Sequence, residues 1–260
     1  MTMWRVIVAA GVVMASLACA VATEIPSEQR RSGASFMAPE TQAMQSDDTA
    51  NPGMLWVLDG EALWTRKAGA ANKACSDCHG EATAGMRGVA ARYPAYDDIS
   101  ARPVDLEQRI NLCRTRHQQA PLLAEESREL HALAALLGRQ SRGLPIEAGG
   151  DPRLAPHLAK GKELFQRRQG QLNLACSNCH DDNWDRRLAG SAITQAHPTG
   201  YPIYRLEWQG MGSLKRRLRS CMIGTRAQPY GNDDPEMVEL ELYLMWRARG
   251  MPMETPAVRP

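Results

Sequence analysis

The sequence predicts a mainly α-helical fold in which two similar domains form an internal repeat, preceded by an irregular N-terminal extension. The first observation is that residues 75–79 read Cys-Ser-Asp-Cys-His and that a near copy, Cys-Ser-Asn-Cys-His, follows at residues 176–180. The second is that shorter matches flank both motifs in the same order, at almost constant offsets. The third is a helical period near the C-terminus, where Val238, Leu242 and Met245 share one face.

Residues 1–22 have the layout of a secretory signal peptide. Arg5 precedes an apolar run at residues 6–17, and small residues follow up to Ala22. The run is short for a membrane span, so we exclude it from the fold and expect export to the periplasm. The stretch around Cys19 also resembles a lipoprotein signal, and lipidation at Cys19 remains an alternative.

The charge balance argues against nucleic acid as a partner. Loss of Arg5 with the signal peptide leaves 30 basic and 29 acidic residues, so the mature chain is nearly neutral. Residues 214–230 are a local exception, with five basic side chains, no acidic one and a single cysteine, Cys221. We expect Lys215, Arg216 and Arg219 to form a solvated or partner-facing surface.

Each repeat presents the same elements in the same order. A first helix carries Gly-x-x-x-aromatic, with Gly60 matching Gly161 at an offset of 101. After the cysteine motif the offset becomes 108, at which Tyr93 falls on Tyr201 and a basic helix leads to a lone cysteine. A terminal helix closes each repeat, spanning residues 125–139 in the first copy and beginning at Pro235 in the second.

These matches set the expected domain boundaries. Residues 23–52 are polar and form the extension, which we expect to lie over the domains, with a disordered arm as the alternative. The first domain then covers residues 53–147 and the second residues 148–260. Residues 143–156 are rich in Gly and Pro and are interpreted as the linker.

Both repeated motifs are Cys-x-x-Cys-His, the attachment signature of a c-type haem. Covalent attachment is expected through Cys75 and Cys78 in the first repeat and through Cys176 and Cys179 in the second. A redox dithiol or half a zinc site would not explain an adjacent histidine twice in equivalent places. The sequence therefore predicts two covalent haem c groups, with His79 and His180 as proximal iron ligands. The order of elements then resembles two class I cytochrome c-like domains.

The repeat also identifies candidates for the second axial ligand of each iron. Met251 resembles such a site, but its equivalent at an offset of 107 is Leu144, which cannot bind iron. Three further candidates have no repeat partner: Met86, Met211 and Met222. A disulfide between Cys113 and Cys221 is the plainer alternative, but the two residues match at an offset of 108, and this equivalence argues against it. We therefore expect Cys113 on the iron of haem 1, Cys221 on the iron of haem 2, and neither cysteine in a disulfide. Thiolate ligation predicts low reduction potentials.

Two arginines near Cys221 suggest anion chemistry. Arg217 lies one helical turn before Cys221, and Arg226 follows it across a glycine turn. Guanidinium groups bind oxyanions through paired donors and favour the thiolate form of a nearby cysteine. Arg109 and Arg116 hold similar places around Cys113, so binding of haem propionates is an open alternative.

Beyond these motifs, residues 36–64, 219–230 and 241–253 resemble the SoxA family of di-haem cytochromes. The string Cys-Met-x-x-x-Arg-Ala-x-Pro-Tyr beginning at Cys221 is the most specific part of this resemblance. Some family members lack the first haem motif, which this chain keeps together with Cys113.

The resemblance implies an L-cysteine S-thiosulfotransferase. Such an enzyme joins thiosulfate oxidatively to a cysteine of the SoxYZ carrier protein and passes electrons to a heterodimer partner, the mono-haem cytochrome c subunit SoxX. By the same resemblance, Cys221 carries the sulfur intermediate as a persulfide and is catalytic, Arg217 contacts substrate, and His180 anchors the catalytic haem.

Other functions stay open at this point. A plain di-haem cytochrome of electron transport would use both lone cysteines only as ligands. A thiosulfate dehydrogenase would couple two thiosulfates into tetrathionate without a carrier protein. A peroxidase would need an iron site that opens, which two equivalent cysteine ligands argue against.

Overall fold

The computed structural model describes residues 24–260 and is rich in helices. The signal peptide expected at residues 1–22 and the lipidation alternative at Cys19 lie outside the described residues. No helix within residues 24–260 combines the length and the apolar character that a membrane crossing needs.

The extension and the first repeat contain six helices and one small sheet. The helices are α1 (Pro39–Ser46), α2 (Met54–Thr65), α3 (Ser76–His79), α4 (Ala82–Gly85), α5 (Leu106–Cys113) and α6 (Arg128–Arg139). Two antiparallel strands lie between α4 and α5: β1 (Ala95–Asp97) and β2 (Arg102–Val104).

The second repeat has the same plan with more strands. Its helices are α7 (Ala155–Gln166), α8 (Cys176–His180), α9 (Leu214–Gly224) and α10 (Pro235–Arg247). A hairpin is formed by β3 (Arg187–Leu188) and β4 (Ser191–Ala192), and a second sheet by β5 (Ile203–Arg205), β6 (Gly210–Gly212) and β7 (Ala257–Arg259). Both the internal repeat and the helical fold class are confirmed.

The first and last helices of each repeat pack together through a glycine. A Cβ on Gly60 of α2 would collide with the carbonyl oxygen of Ala132 in α6. A Cβ on Gly161 of α7 would collide in the same way with the carbonyl oxygen of Glu239 in α10. The Gly-x-x-x-aromatic pattern therefore marks the point where two backbones approach closely, and the aromatic residue one turn later is buried beside it.

Two local insertions explain why the offset between the repeats changes. Seven extra residues separate the haem motif from the Tyr-Pro match in the second repeat, and this stretch contains the β3–β4 hairpin. After Cys113, a π-helical turn at Arg114–Gln118 adds one residue to the first repeat, which lowers the offset from 108 to 107. Asp105 and Ser213 are equivalent N-caps and accept from the backbone N–H of Gln108 and Arg216.

The extension and the linker are both packed against the body of the protein. Strand β7 pairs in parallel with β5, and the side chain of Gln45 in α1 accepts from the backbone N–H of Val258, 3.2 Å away. Within the linker, Pro145 forms a bridge with Pro252 and Ile146 is buried. The extension thus lies over the domains as expected, and the domain boundaries stay a prediction.

Two expectations about helices and surfaces are wrong. The terminal helix of the first repeat begins at Arg128 rather than at residue 125, because Ser127 caps it and Glu126 has a left-handed φ of 57°. Lys215 is not on a solvated surface: it is buried, and its Nζ lies 2.5 Å from Asp105 Oδ2. In the second repeat the helix starts at Pro235 as predicted.

Candidate active site

Each repeat folds around its own cavity. The first has a volume of about 250 Å³ and is lined by Cys75, Cys78, His79 and Cys113. Most of its other lining residues are apolar, among them Trp64, Met86, Val89, Leu106, Ile110, Leu133 and Leu137. An apolar cavity that presents two thiols, a histidine and a further thiol suits a covalently attached macrocycle, because the walls bury its faces and the donors reach its edge and its iron.

The cysteine motifs adopt the geometry that double attachment needs. The backbone N–H of His79 donates to the carbonyl of Cys75 over 3.0 Å, so Cys75 and Cys78 lie on one helical turn. Asp77 accepts from the N–H of Ala74, and at the equivalent place Asn178 accepts from the N–H of Ala175. The two turns are therefore held by equivalent side-chain hydrogen bonds, although the residues differ.

A hydrogen bond to one ring nitrogen of His180 fixes the orientation of the ring and leaves the other nitrogen for a metal. Its Nδ1 donates to the carbonyl oxygen of Thr194 over 2.6 Å, which leaves Nε2 free to bind a metal. Burial lowers the pKa of His180 and so favours the neutral ring that coordination requires. Thr194 directly follows the hairpin insertion, so the seven extra residues also serve to position this histidine.

The second cavity is larger, at about 650 Å³, and brings His180, Arg217 and Cys221 together. Parts of the chain outside the repeat core complete its walls, namely Phe36 and Met37 from the extension, Arg187 and Ser191 from the hairpin, and Arg259 from β7. Among residues 24–260, four arginines and no aspartate or glutamate line the second cavity. It is therefore a wide and cationic space, whereas the first cavity is smaller and mostly apolar.

Cys176 and Cys179 do not line this second cavity, in contrast to Cys75 and Cys78 in the first cavity. Burial raises the pKa of Cys176 to about 12, and a nearby Cys221 raises it further. Burial also raises the pKa of Cys179, and Cys221 again contributes. The influence of Cys221 on both thiols shows that the attachment cysteines and the lone cysteine share one neighbourhood.

In the first repeat a carboxylate neutralises the arginines near the lone cysteine. Asp97 Oδ1 lies 2.8 Å from Arg109 Nη1, and Asp97 Oδ2 lies 2.8 Å from Arg116 Nη2. Hydrogen bonding to Arg116 holds the pKa of Asp97 well below its usual range. Arg109 and Arg116 are thus both paired with a protein anion.

The second repeat lacks this carboxylate. At the offset of 108 the equivalent of Asp97 is Arg205, so a negative residue is replaced by a positive one. Within residues 24–260, Arg217 makes no ion pair and no side-chain hydrogen bond, and it remains exposed in the cavity beside Cys221. Arg217 is therefore available to an external anion, whereas its equivalent Arg109 is not.

The structure treats the remaining candidates differently. Arg226 is exposed, has a left-handed φ of 56° and does not line the cavity, so the structure gives no support to a substrate role for it. Met86 lines the first cavity with His79, whereas Met211, Met222 and Met251 line neither cavity. None of the six described cysteines forms a disulfide, and Cys113 and Cys221 face different cavities.

Several cavity residues were missed by sequence reasoning. Tyr201 was matched to Tyr93 only as a repeat marker, yet it lines the second cavity. Arg205 was available at the offset of 108, but its meaning depends on the ion pairs that Asp97 makes. No sequence pattern links the extension or the C-terminal strand to the cavity.

Comparison with known proteins agrees with this geometry. The family model described as SoxA/TsdA, cytochrome c domain, matches residues 59–146 and 160–253. The L-cysteine S-thiosulfotransferase subunit SoxA of Rhodovulum sulfidophilum is 37% identical over 232 residues, which are 89% of this chain and 81% of that protein. The chain belongs to the SoxA family. The subunit of the same name from Pseudaminobacter salicylatoxidans is also 37% identical, over 90% of this chain and 82% of that protein.

A solved structure of the family has the same fold. The crystal structure of SoxXA from P. pantotrophus matches with a TM-score of 0.85 and 30% identity, covering 89% of this chain and 87% of that one. The matched family model is a cytochrome c domain, and covalently bound haem c is the cofactor of such domains.

Proposed function

We propose that this chain is the catalytic subunit of an L-cysteine S-thiosulfotransferase, which joins thiosulfate to a cysteine of a carrier protein similar to SoxYZ. The names of its relatives support the reaction. The observation that carries the proposal in this chain is Arg217, a cation that lines the cavity with Cys221 and has no ion pair within residues 24–260. The equivalent arginine of the first repeat is neutralised, so we assign substrate binding to the second cavity alone.

Two haem c groups are part of this proposal. Cys75 and Cys78 attach the first, with His79 and Cys113 as iron ligands, and Cys176 and Cys179 attach the second, with His180 and Cys221. When bound, a haem supplies a one-electron acceptor whose potential a thiolate ligand lowers. The apolar first cavity and the fixed Nδ1 of His180 support both assignments.

The bond chemistry falls to Cys221. Its thiolate and the terminal sulfur of thiosulfate form an S–S bond, and two electrons leave the pair. The carrier thiolate then attacks the sulfur that came from the thiosulfate terminus. The new carrier S–S bond forms while the bond to Cys221 breaks, which returns Cys221 as a thiolate and leaves the whole thiosulfate group on the carrier cysteine, as carrier–S–S–SO3⁻. The carrier thiol loses one proton in the overall reaction.

Arg217 acts on the other end of the substrate. A guanidinium can donate two parallel hydrogen bonds to the sulfonate oxygens of thiosulfate. Because Arg217 lies one helical turn from Cys221, a sulfonate held there would present its terminal sulfur near the cysteine. The guanidinium also lowers the repulsion between two anionic sulfur groups.

The two electrons leave through a c-type cytochrome partner similar to SoxX, with which we propose that the chain forms a heterodimer. The P. pantotrophus structure that matches this fold is titled SoxXA, and this supports such a partner. We further propose that residues 1–22 direct export to the periplasm and are removed. N-terminal sequencing of protein recovered from the periplasm tests this step, and an intact Met1 there would contradict it.

The repeat supplies matched variants for the central test. Holoprotein with its cytochrome partner is assayed for thiosulfate-dependent electron release with and without the carrier protein. Cys221→Ala should abolish carrier-dependent turnover, whereas Cys113→Ala should retain it. Arg217→Met should lower kcat/KM for thiosulfate about 10- to 100-fold, and Arg109→Met should not, because a charged hydrogen bond contributes roughly 1.5–3 kcal/mol.

Three outcomes would contradict the proposal. Turnover without the carrier, with tetrathionate as product, would indicate a thiosulfate dehydrogenase. Electron transfer that survives in Cys221→Ala would indicate a plain electron carrier. Equal losses in Arg217→Met and Arg109→Met would remove the distinction between the two cavities. The haem content and absorption spectrum of each variant separate these outcomes from misfolding.

A further inference from the structure

The charge reversal between the two repeats singles out Arg205. Strands β1 and β5 have the same register with their partners: Asp97 faces Arg102 in one sheet, and Arg205 faces Gly210 in the other. The backbone position that carries the arginine-neutralising carboxylate in the first repeat thus carries a guanidinium in the second. This changes the charge at one equivalent position by two, from negative to positive.

Arg205 is held at the cavity rather than free in solvent. Its Nη2 donates to Glu207 Oε1 over 2.7 Å, and its guanidinium lies 5.0 Å from the centre of the Trp208 ring. Only 17% of the side chain is exposed, and the residue lines the second cavity. Its Nε is buried, and within residues 24–260 it has no hydrogen-bond partner. Its Nη1 makes no hydrogen bond within residues 24–260 either and, unlike Nε, is not enclosed by protein. A guanidinium held in this way can donate from Nη1 to an anion in the cavity.

Two more arginines act on the same part of the cavity. Burial raises the pKa of Tyr201 to about 12, while Arg217, Arg259 and Arg205 each oppose that rise. All three arginines line the same cavity as Tyr201. Arg259 is committed to protein oxygens, with Nη1 lying 2.5 Å from Gln45 Oε1 and 2.7 Å from Val258 O. Among these three arginines, the donors that make no hydrogen bond within residues 24–260 and can reach a ligand are those of Arg217 and the Nη1 of Arg205.

We propose that Arg205 determines substrate specificity by binding the sulfonate end of thiosulfate together with Arg217, so that the site selects a dianion. This inference rests on the proposed function, because it takes thiosulfate as the ligand of the second cavity. One guanidinium balances only half the charge of thiosulfate. Within residues 24–260 no aspartate or glutamate side chain lines the cavity, so Arg205, although it also pairs with Glu207, adds positive charge at the cavity wall.

The proposal distinguishes thiosulfate from a close analogue. Methanethiosulfonate keeps the terminal sulfur and two oxygens, but a methyl group replaces the third oxygen and the charge is one unit lower. Arg205 should therefore contribute more to binding of thiosulfate than to binding of methanethiosulfonate. A residue with only a structural role would affect both ligands to the same degree.

The test is calorimetric titration of the holoprotein with each anion. Arg205→Met removes the cation, and Arg205→Asp rebuilds the carboxylate partner that the first repeat provides. Arg186→Asp is the matched control, since Arg186 is an exposed neighbour of the hairpin that does not line the cavity. We expect Kd for thiosulfate to rise about tenfold in Arg205→Met and about 100-fold in Arg205→Asp, since one charged hydrogen bond is worth roughly a factor of ten or more.

For Arg186→Asp we expect Kd to stay within about threefold of the wild type, because an exposed charge is screened. The proposal is overturned if Arg205→Asp raises the Kd for thiosulfate by less than about tenfold. It is also overturned if the Arg205 variants weaken methanethiosulfonate binding as much as thiosulfate binding. Unchanged haem spectra and circular dichroism confirm that each variant is folded. Wild-type protein that binds thiosulfate without carrier-dependent turnover would refute the proposed function, while the titrations would still decide the role of Arg205.

Discussion

Replacement of Lys215 by methionine should destabilise the protein, because Lys215 is the cation of a buried cluster between the two repeats. Its Nζ lies 2.5 Å from Asp105 Oδ2, and the two side chains are only 7% and 3% exposed. Burial lowers the pKa of Lys215, but the charges of Asp105, Glu241 and Glu107 outweigh this effect, so the pKa is raised overall. Methionine keeps the apolar stem but leaves three acidic groups without a counter-charge.

The size of the effect follows from this burial. Removal of one partner from a buried ion pair costs about 3–5 kcal/mol. Burial raises the pKa of Glu241 to about 8, so this carboxyl can stay protonated at pH 6 and the cost should fall near the lower limit, about 3 kcal/mol. The cost should grow above pH 8, where Glu241 ionises without Lys215 beside it.

Urea unfolding of the holoprotein, followed by far-ultraviolet circular dichroism, measures this cost. A loss of about 3 kcal/mol should lower the urea midpoint by roughly 1 M for a chain of this size. Lys160→Met is the matched control, since Lys160 pairs with Glu163 on an exposed helix face and should leave the midpoint unchanged. Equal midpoints for Lys215→Met and Lys160→Met, or a loss that does not change with pH, would refute the reasoning.

Three further predictions concern stability and packing. The pKa of Glu241 is about 8 in the folded protein and lower in the unfolded chain, so its contribution to the free energy of unfolding is lost as pH rises toward 8. Glu241→Gln should therefore flatten the fall in Tm between pH 5 and pH 9. An unchanged slope would contradict this prediction. Gly161→Ala should lower the free energy of unfolding by about 1–3 kcal/mol, because the new methyl group overpacks α7 against the Glu239 carbonyl. Gly224→Ala is the control, since Gly224 has open space around it and its replacement should not change urea unfolding. Equal effects of the two substitutions would be inconsistent with the packing. Gln45→Ala should cost about 1–3 kcal/mol and speed proteolysis of residues 24–52, because it leaves buried donors of Val258 and Arg259 unpaired, and the exposed Gln42→Ala should do neither.

The architecture could be predicted from the sequence because each position in one repeat can be compared with its equivalent in the other. Gly60 and Gly161 were matched as equivalent positions and lie at equivalent helix crossings, and the matched Cys113 and Cys221 lie in two separate cavities. The start of α6 was misplaced by three residues because the cap at Ser127 competes with the acidic residues before it. The repeat matches and the helix start both depend on residues close together in the chain, so short sequence patterns can indicate them.

What the sequence did not show depends on contacts between distant residues. Lys215 was assigned to the surface because its neighbours are basic, yet its partner Asp105 is 110 positions away. The second cavity is completed by the extension and by β7, which no local pattern places near Cys221. The meaning of Arg205 emerged only when the ion pairs of Asp97 were known.

The measurement that tests the central claim most directly is the intact mass of the exported holoprotein after exposure to thiosulfate and an oxidant, before and after mild reduction. The account predicts two haem additions plus a sulfur-containing adduct that the reductant removes. The adduct should be absent in Cys221→Ala and present in Cys113→Ala. An adduct that persists in Cys221→Ala, or a wild-type chain that never acquires one, would contradict Cys221 as the residue that carries the sulfur intermediate.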